Sequence, residues 1–103
     1  MAEFMVRVVL HGAGTAEHYD LLDTAMREKG FSQELMGKKS VHRLPRGDYW
    51  YTAETTAPEV RMVAAAAAEQ AGESFGIIVV RVDGWSVMGL KKAAAPAPSY
   101  DDM

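Results

Sequence analysis

Residues 75–90, FGIIVVRVDGWSVMGL, constrain this chain more than any other stretch. Ile77, Ile78, Val79, Val80 and Val82 form an apolar, β-branched run, and such residues fit a pleated, half-buried surface. Asp83-Gly84 follows, and then a second apolar run, Trp85 to Leu90. That order predicts a hairpin, because Asp-Gly suits a turn whose two central residues both need positive φ. Along the first arm, Ile77 and Val79 point one way, and Ile78, Val80 and Val82 the other. Neither face is polar, so both faces are expected to be covered, the second by a partner such as another copy of the chain.

The remaining elements fall into order around that strand. Residues 3–11, EFMVRVVLH, alternate as a strand, with Phe4, Val6, Val8 and Leu10 on one face and Met5, Arg7, Val9 and His11 on the other. Gly12-Ala13-Gly14 ends it. The loop is too short for a dinucleotide fingerprint and has no P-loop Lys-Ser/Thr, so it reads as a tight turn. Thr15 is the expected N-cap of a helix running to Lys29, stopped by Gly30. Residues 31–39 read as a connector, with Phe31, Leu35 and Met36 packing a partial turn under the sheet. Residues 40–54 read as a second hairpin, its arms SVHRL and YWYTAE joined by a Leu44-Pro45-Arg46-Gly47 turn. Thr56, Pro58 and Glu59 form a capping box for a helix to about Ala71, with Val60, Val63, Ala64, Ala67 and Ala71 as its buried stripe.

The order β-α-β-β-α-β plus one extra C-terminal strand predicts an α+β, ferredoxin-like domain over residues 1–92. Right-handed crossovers would put both helices on one face of an antiparallel sheet. The other face would carry Arg7, Val9, His42 or Arg43, Trp50, Ile78 and Val80, and its cheapest cover is a homodimer through that open face. Residues 93–103, with two prolines and two acids among small residues, read as a disordered tail.

Composition narrows the chemistry. The length of 103 residues fits one domain. The absence of cysteine excludes disulfides, cysteine zinc sites and a thiolate nucleophile. No apolar run reaches membrane-spanning length and no signal pattern opens the chain, so a soluble cytoplasmic protein is expected, with no membrane partner. Two of the 14 acids lie in the tail, which leaves 12 against 11 Lys and Arg in residues 1–92. Global charge therefore gives no reason to expect nucleic acid, and local clusters decide. His11, His18 and His42 have no metal-ligand spacing, so neither metal nor other cofactor is expected.

One local cluster stands out. KKSVHRLPR holds Lys38, Lys39, His42, Arg43 and Arg46 without an acid, directly before Trp50 and its flanking tyrosines. Cations interleaved with aromatics suit phosphate contact and base stacking. They also suit a solvated hairpin that keeps an edge strand from aggregating. Metal-free RNA cleavage would need a base, an acid and a cation at the phosphorane, roles open to His11, His42 and Arg43.

The element order, Met26-Arg27-Glu28-Lys29-Gly30-Phe31-Ser32 and Leu44-Pro45 before Tyr49-Trp50-Tyr51 together resemble the GhoS family, over roughly residues 4–90. Those proteins are the antitoxin endoribonucleases of type V toxin–antitoxin systems. The resemblance implies a ferredoxin-like domain that cuts a toxin messenger RNA, with Arg27 as an RNA contact. The family shares its fold with small CRISPR adaptation nucleases, which dimerise through the sheet face and carry an acid at the end of the first strand. Here that position is His11, which points to a metal-independent nuclease or to a scaffold without catalysis. Two readings of function follow. The preferred one is an RNA-interacting endoribonuclease antitoxin, with RNA contacts at Arg27, Lys38, Lys39, Arg43, Arg46 and Trp50. The alternative is a non-catalytic protein-binding inhibitor or adaptor, such as a phage-type inhibitor of a host nuclease complex.

Overall fold

The computed structural model describes residues 1–11, 16–36, 41–86 and 88–90. The predicted cap Thr15, the cations Lys38 and Lys39, and the tail 93–103 lie outside them.

Strand β1 (Ala2–Leu10) is the central element. Its alternation is realised: Phe4, Val6, Val8 and Leu10 are buried, while Arg7 and Val9 are exposed. Helix α1 (Ala16–Glu28) buries Leu22, Ala25 and Met26. It ends in a Schellman motif, Phe31 N–H donating to Met26 C=O and Gly30 N–H to Arg27 C=O, with Gly30 at φ +95°. Strands β2 (Glu34–Met36) and β3 (Val41–Arg43) are short; β4 (Asp48–Ala53) follows. Helix α2 (Ala57–Ala68) carries Thr56 as N-cap, its hydroxyl accepting from Glu59 N–H at 3.4 Å. A 3-10 turn, Glu69–Ala71, and Gly72 at φ +77° lead into β5 (Phe75–Val82).

The main sheet has the order β4-β1-β5, antiparallel throughout. Both helices pack on the face that bears Phe4, Val6 and Val8, in one core with Tyr49, Leu22, Met26, Phe31 and Val60. Buried Ala64, Ala67 and Ala68 let α2 lie close to the sheet, a use of small side chains rather than a linker. The fold is thus α+β with two helices on one face of an antiparallel sheet.

Three expectations are corrected. First, no strand follows β5 among the described residues. Neither Asp83 nor Gly84 takes a positive φ, so the hairpin turn does not form. Trp85 instead meets Trp50 edge-to-face, with ring centroids 5.8 Å apart. Second, the residue 40–54 hairpin is not made: β3 pairs with β2, in a separate two-stranded ribbon. The connector thereby contains a strand, and on the ribbon side of β4 Trp50 bridges to Ser32. Third, the turn is shifted by one residue. Asp48 N–H donates to Pro45 C=O, and Gly47, at φ +92°, takes its third position. Glycine is required there twice over, since a Cβ would also lie 2.8 Å from the Val8 carbonyl oxygen.

Candidate functional site

Period-two alternation leaves one sheet face without a helix. It carries Met5, Arg7 and Val9 of β1, Trp50 and Thr52 of β4, and Ile78 and Val80 of β5. The register sets Met5 between Trp50 and Val80, and Arg7 between Asp48 and Ile78. Val9, Ile78, Val80 and Trp85 are 43, 60, 51 and 43% exposed, which is high for apolar side chains on three neighbouring segments. A shallow hollow of about 180 Å³ lies among Met5, Arg7, Asp48, Ile78 and Val80.

The charges at the centre of this face are paired with each other. Arg7 donates to Asp48 through Nε at 2.7 Å and Nη2 at 3.0 Å, a bidentate pair. Asp48 is buried and Arg7 largely exposed. The hydrogen bond to Asp48, then its charge, raises the Arg7 pKa. Arg7 thus arrives with its anion already bound.

The described members of the expected catalytic and RNA-contacting set lie on different elements. His11 follows β1, its N–H donating to Ser74 C=O and its imidazole beside Gly76, on the β5 side of β1. His42 and Arg43 lie on β3, opposite Leu35 and Glu34, in the ribbon beyond β4. Their expected place on the open face is corrected in that β3 belongs to the separate β2–β3 ribbon and not to the main sheet. No described contact links His11 to His42. Arg46 is an ion-paired residue rather than a free cation. It donates to Asp20, lies 3.2 Å from Asp23 and sits over the Tyr19 ring. The hydrogen bond to Asp20 raises its pKa, against the opposing effect of partial burial. Arg27 is exposed in the last turn of α1. Trp50 is on the open face, half-buried against Trp85. Among the described residues no three His, Asp or Glu side chains gather as metal ligands.

Sequence reasoning misses two features of this face. Arg7 and Asp48 are visible as lone charges in apolar strands, but only the register joins them. Trp85 is legible as apolar, yet nothing local directs it onto Trp50. The chain matches no protein family, no curated protein and no solved structure. No helix among the described residues is long and apolar enough to cross a membrane.

Proposed function

We propose that this chain is a non-catalytic interaction module that takes a partner protein on the open face of its sheet. The observation that carries this reading is the exposed set Val9, Ile78 and Val80 beside the Trp50–Trp85 pair. Single exposed apolar residues are ordinary, whereas a contiguous group marks an interaction surface. Interface cores favour tryptophan and exclude unpaired charge, and the Arg7–Asp48 pair meets that condition. The role is that of a small inhibitor or adaptor. The order β4-β1-β5, with Ser32 bridged to the outer side of Trp50, also supports a ferredoxin-like sheet whose fourth position is marked by that bridge.

One feature favours the second reading, a metal-independent endoribonuclease antitoxin. Trp50 and Trp85 offer ring faces on an open sheet, and single-stranded RNA is bound by stacking on such aromatics. Arg43, exposed on the ribbon, would then contact a phosphate, whereas Arg27 lies on the helix-bearing side of the sheet.

A labelled RNA pool, incubated with and without EDTA beside His11→Ala and His42→Ala, separates the two. The interaction module leaves the pool intact and shows no saturable quenching of its tryptophans by RNA. It does enhance the fluorescence of anilinonaphthalene sulfonate, and Val80→Asp removes that enhancement. Cleavage that survives EDTA and is lost in either histidine variant overturns the proposal and establishes the nuclease.

A further inference from the structure

The hydrogen-bond register of the sheet fixes which backbone groups of β5 point away from it. His11 N–H donates to Ser74 C=O, and Val8 N–H to Gly47 C=O. In an antiparallel ladder, bonded and non-bonded pairs alternate. Val9, Arg7, Met5 and Glu3 therefore bond to Gly76, Ile78, Val80 and Val82. The N–H and C=O groups of Phe75, Ile77, Val79 and Arg81 point outward, along an edge that no described strand pairs. On the ribbon side of the sheet, Trp50 obeys the same rule, its outward N–H and C=O both bonded to Ser32.

Among the described residues this edge carries little of the usual protection. It is eight residues long, β-branched over most of its length, and free of proline and of acids, with Arg81 near its end as the one charge. The sequence expectation of a second arm against it is unmet, because the chain after Val82 carries Trp85 onto Trp50 instead.

We infer that the β5 edge pairs antiparallel with the β5 edge of a second copy, joining two three-stranded sheets into one six-stranded sheet. The occupant is a second copy because the edge is complementary to itself. With the two-fold axis at Ile78, Phe75 bonds to the second copy's Arg81 and Ile77 to its Val79. Every outward N–H and C=O of the four residues then finds a partner. Moving the register by two residues in either direction leaves one of the four opposite a residue outside the strand. The same register is favourable for the side chains. The two Ile78 side chains meet in a non-bonded pair, the closer kind. The two Arg81 side chains are kept apart, each opposite the second copy's Phe75. A copy held this way leaves both open faces uncovered and makes them one continuous surface. The inference rests on the β5 register and stands independently of what the face binds.

Sedimentation and amide hydrogen exchange of the full chain test it together. The wild type is expected at twice the chain mass of 11.2 kDa. Ile78→Lys puts two ammonium groups opposite each other, and Arg81→Pro removes an outward N–H without touching the β1 ladder. Both variants are expected at 11.2 kDa with unchanged circular dichroism. Trp50→Ser, which alters the face but not the edge, is expected to stay at twice that mass. In the wild type the amides of Phe75, Ile77, Val79 and Arg81 gain protection with concentration, while those of Ile78 and Val80 are protected throughout. A wild type that sediments as one chain overturns the inference. So does an assembly that Arg81→Pro spares and Trp50→Ser dissolves, which would be face-to-face.

Discussion

Asp23 is a buried carboxylate on α1 that accepts from one residue and pairs with another. The Tyr49 hydroxyl donates to its Oδ1 at 2.5 Å, and Arg46 lies 3.2 Å from its Oδ2. Tyr49 belongs to the core and Arg46 to the turn that precedes it, so one carboxylate ties both to the helix. Asp23→Ala would leave the Tyr49 hydroxyl buried without its acceptor and Arg46 with Asp20 alone. The expected loss is about 2–3 kcal/mol of unfolding free energy in urea, the scale for a buried bond to a charged group. Tyr49 also sets an alkaline limit. Burial first, and then the bond to Asp23, push its phenol pKa above the ordinary 10.0. A pKa raised on folding means that the neutral phenol is the stabilised form. Its contribution is complete below pH 10 and falls as pH rises further, because only the unfolded chain ionises there. Urea midpoints measured from about pH 8 to about pH 11 should drop on the alkaline side, and Tyr49→Phe should flatten that limb.

At the scale of elements, the clearest local signal is the cap of α2. Thr56 accepts from Glu59 N–H, and the Glu59 carboxylate accepts from the hydroxyls of Thr55 and Thr56. Those bonds, Thr55 first, hold the Glu59 pKa below its ordinary 4.5. Its contribution is therefore present above pH 4.5 and lost as pH falls through the lowered value. Thr56→Ala is expected to cost about 1 kcal/mol at neutral pH, the usual worth of an N-cap, and to weaken this acid dependence. Both effects are read from thermal unfolding followed by circular dichroism. Elements written in local chemistry in this way were legible before the fold was known. The alternation of β1, the β-branched run of β5, the Gly30 stop and the Thr56 cap each need only a few neighbouring residues. The β2–β3 ribbon was not legible, because three-residue strands carry no periodicity and their pairing is set by tertiary context. Asp83-Gly84 misled for a related reason. A turn signal states what two residues tolerate, and the contact of Trp85 with Trp50 decided otherwise. The candidate site was half legible. Alternation in β1 and β5 marked Val9, Ile78 and Val80, while the separation of His11 from His42 depended on which strands became neighbours.

For the whole molecule, the two faces of one sheet differ in what covers them rather than in what they are made of. Val6 and Val80 are the same residue type on strands paired to each other. Val6 is fully buried beneath the helices and Val80 is 51% exposed on the open side. Composition therefore cannot tell the core face from the open face; only the placement of the helices does. Substituting valine by threonine keeps the shape and adds one hydroxyl, so the pair of changes reads the environment alone. Val6→Thr buries that hydroxyl in the core and is expected to cost about 1–3 kcal/mol. Val80→Thr leaves it in water and is expected to stay within about 0.5 kcal/mol of the wild type. Urea unfolding at low protein concentration measures both. Equal losses would mean that the second face is packed within the single chain, and the interaction surface would then have to lie elsewhere. A loss confined to Val6 leaves the open face unused by folding and available to a partner.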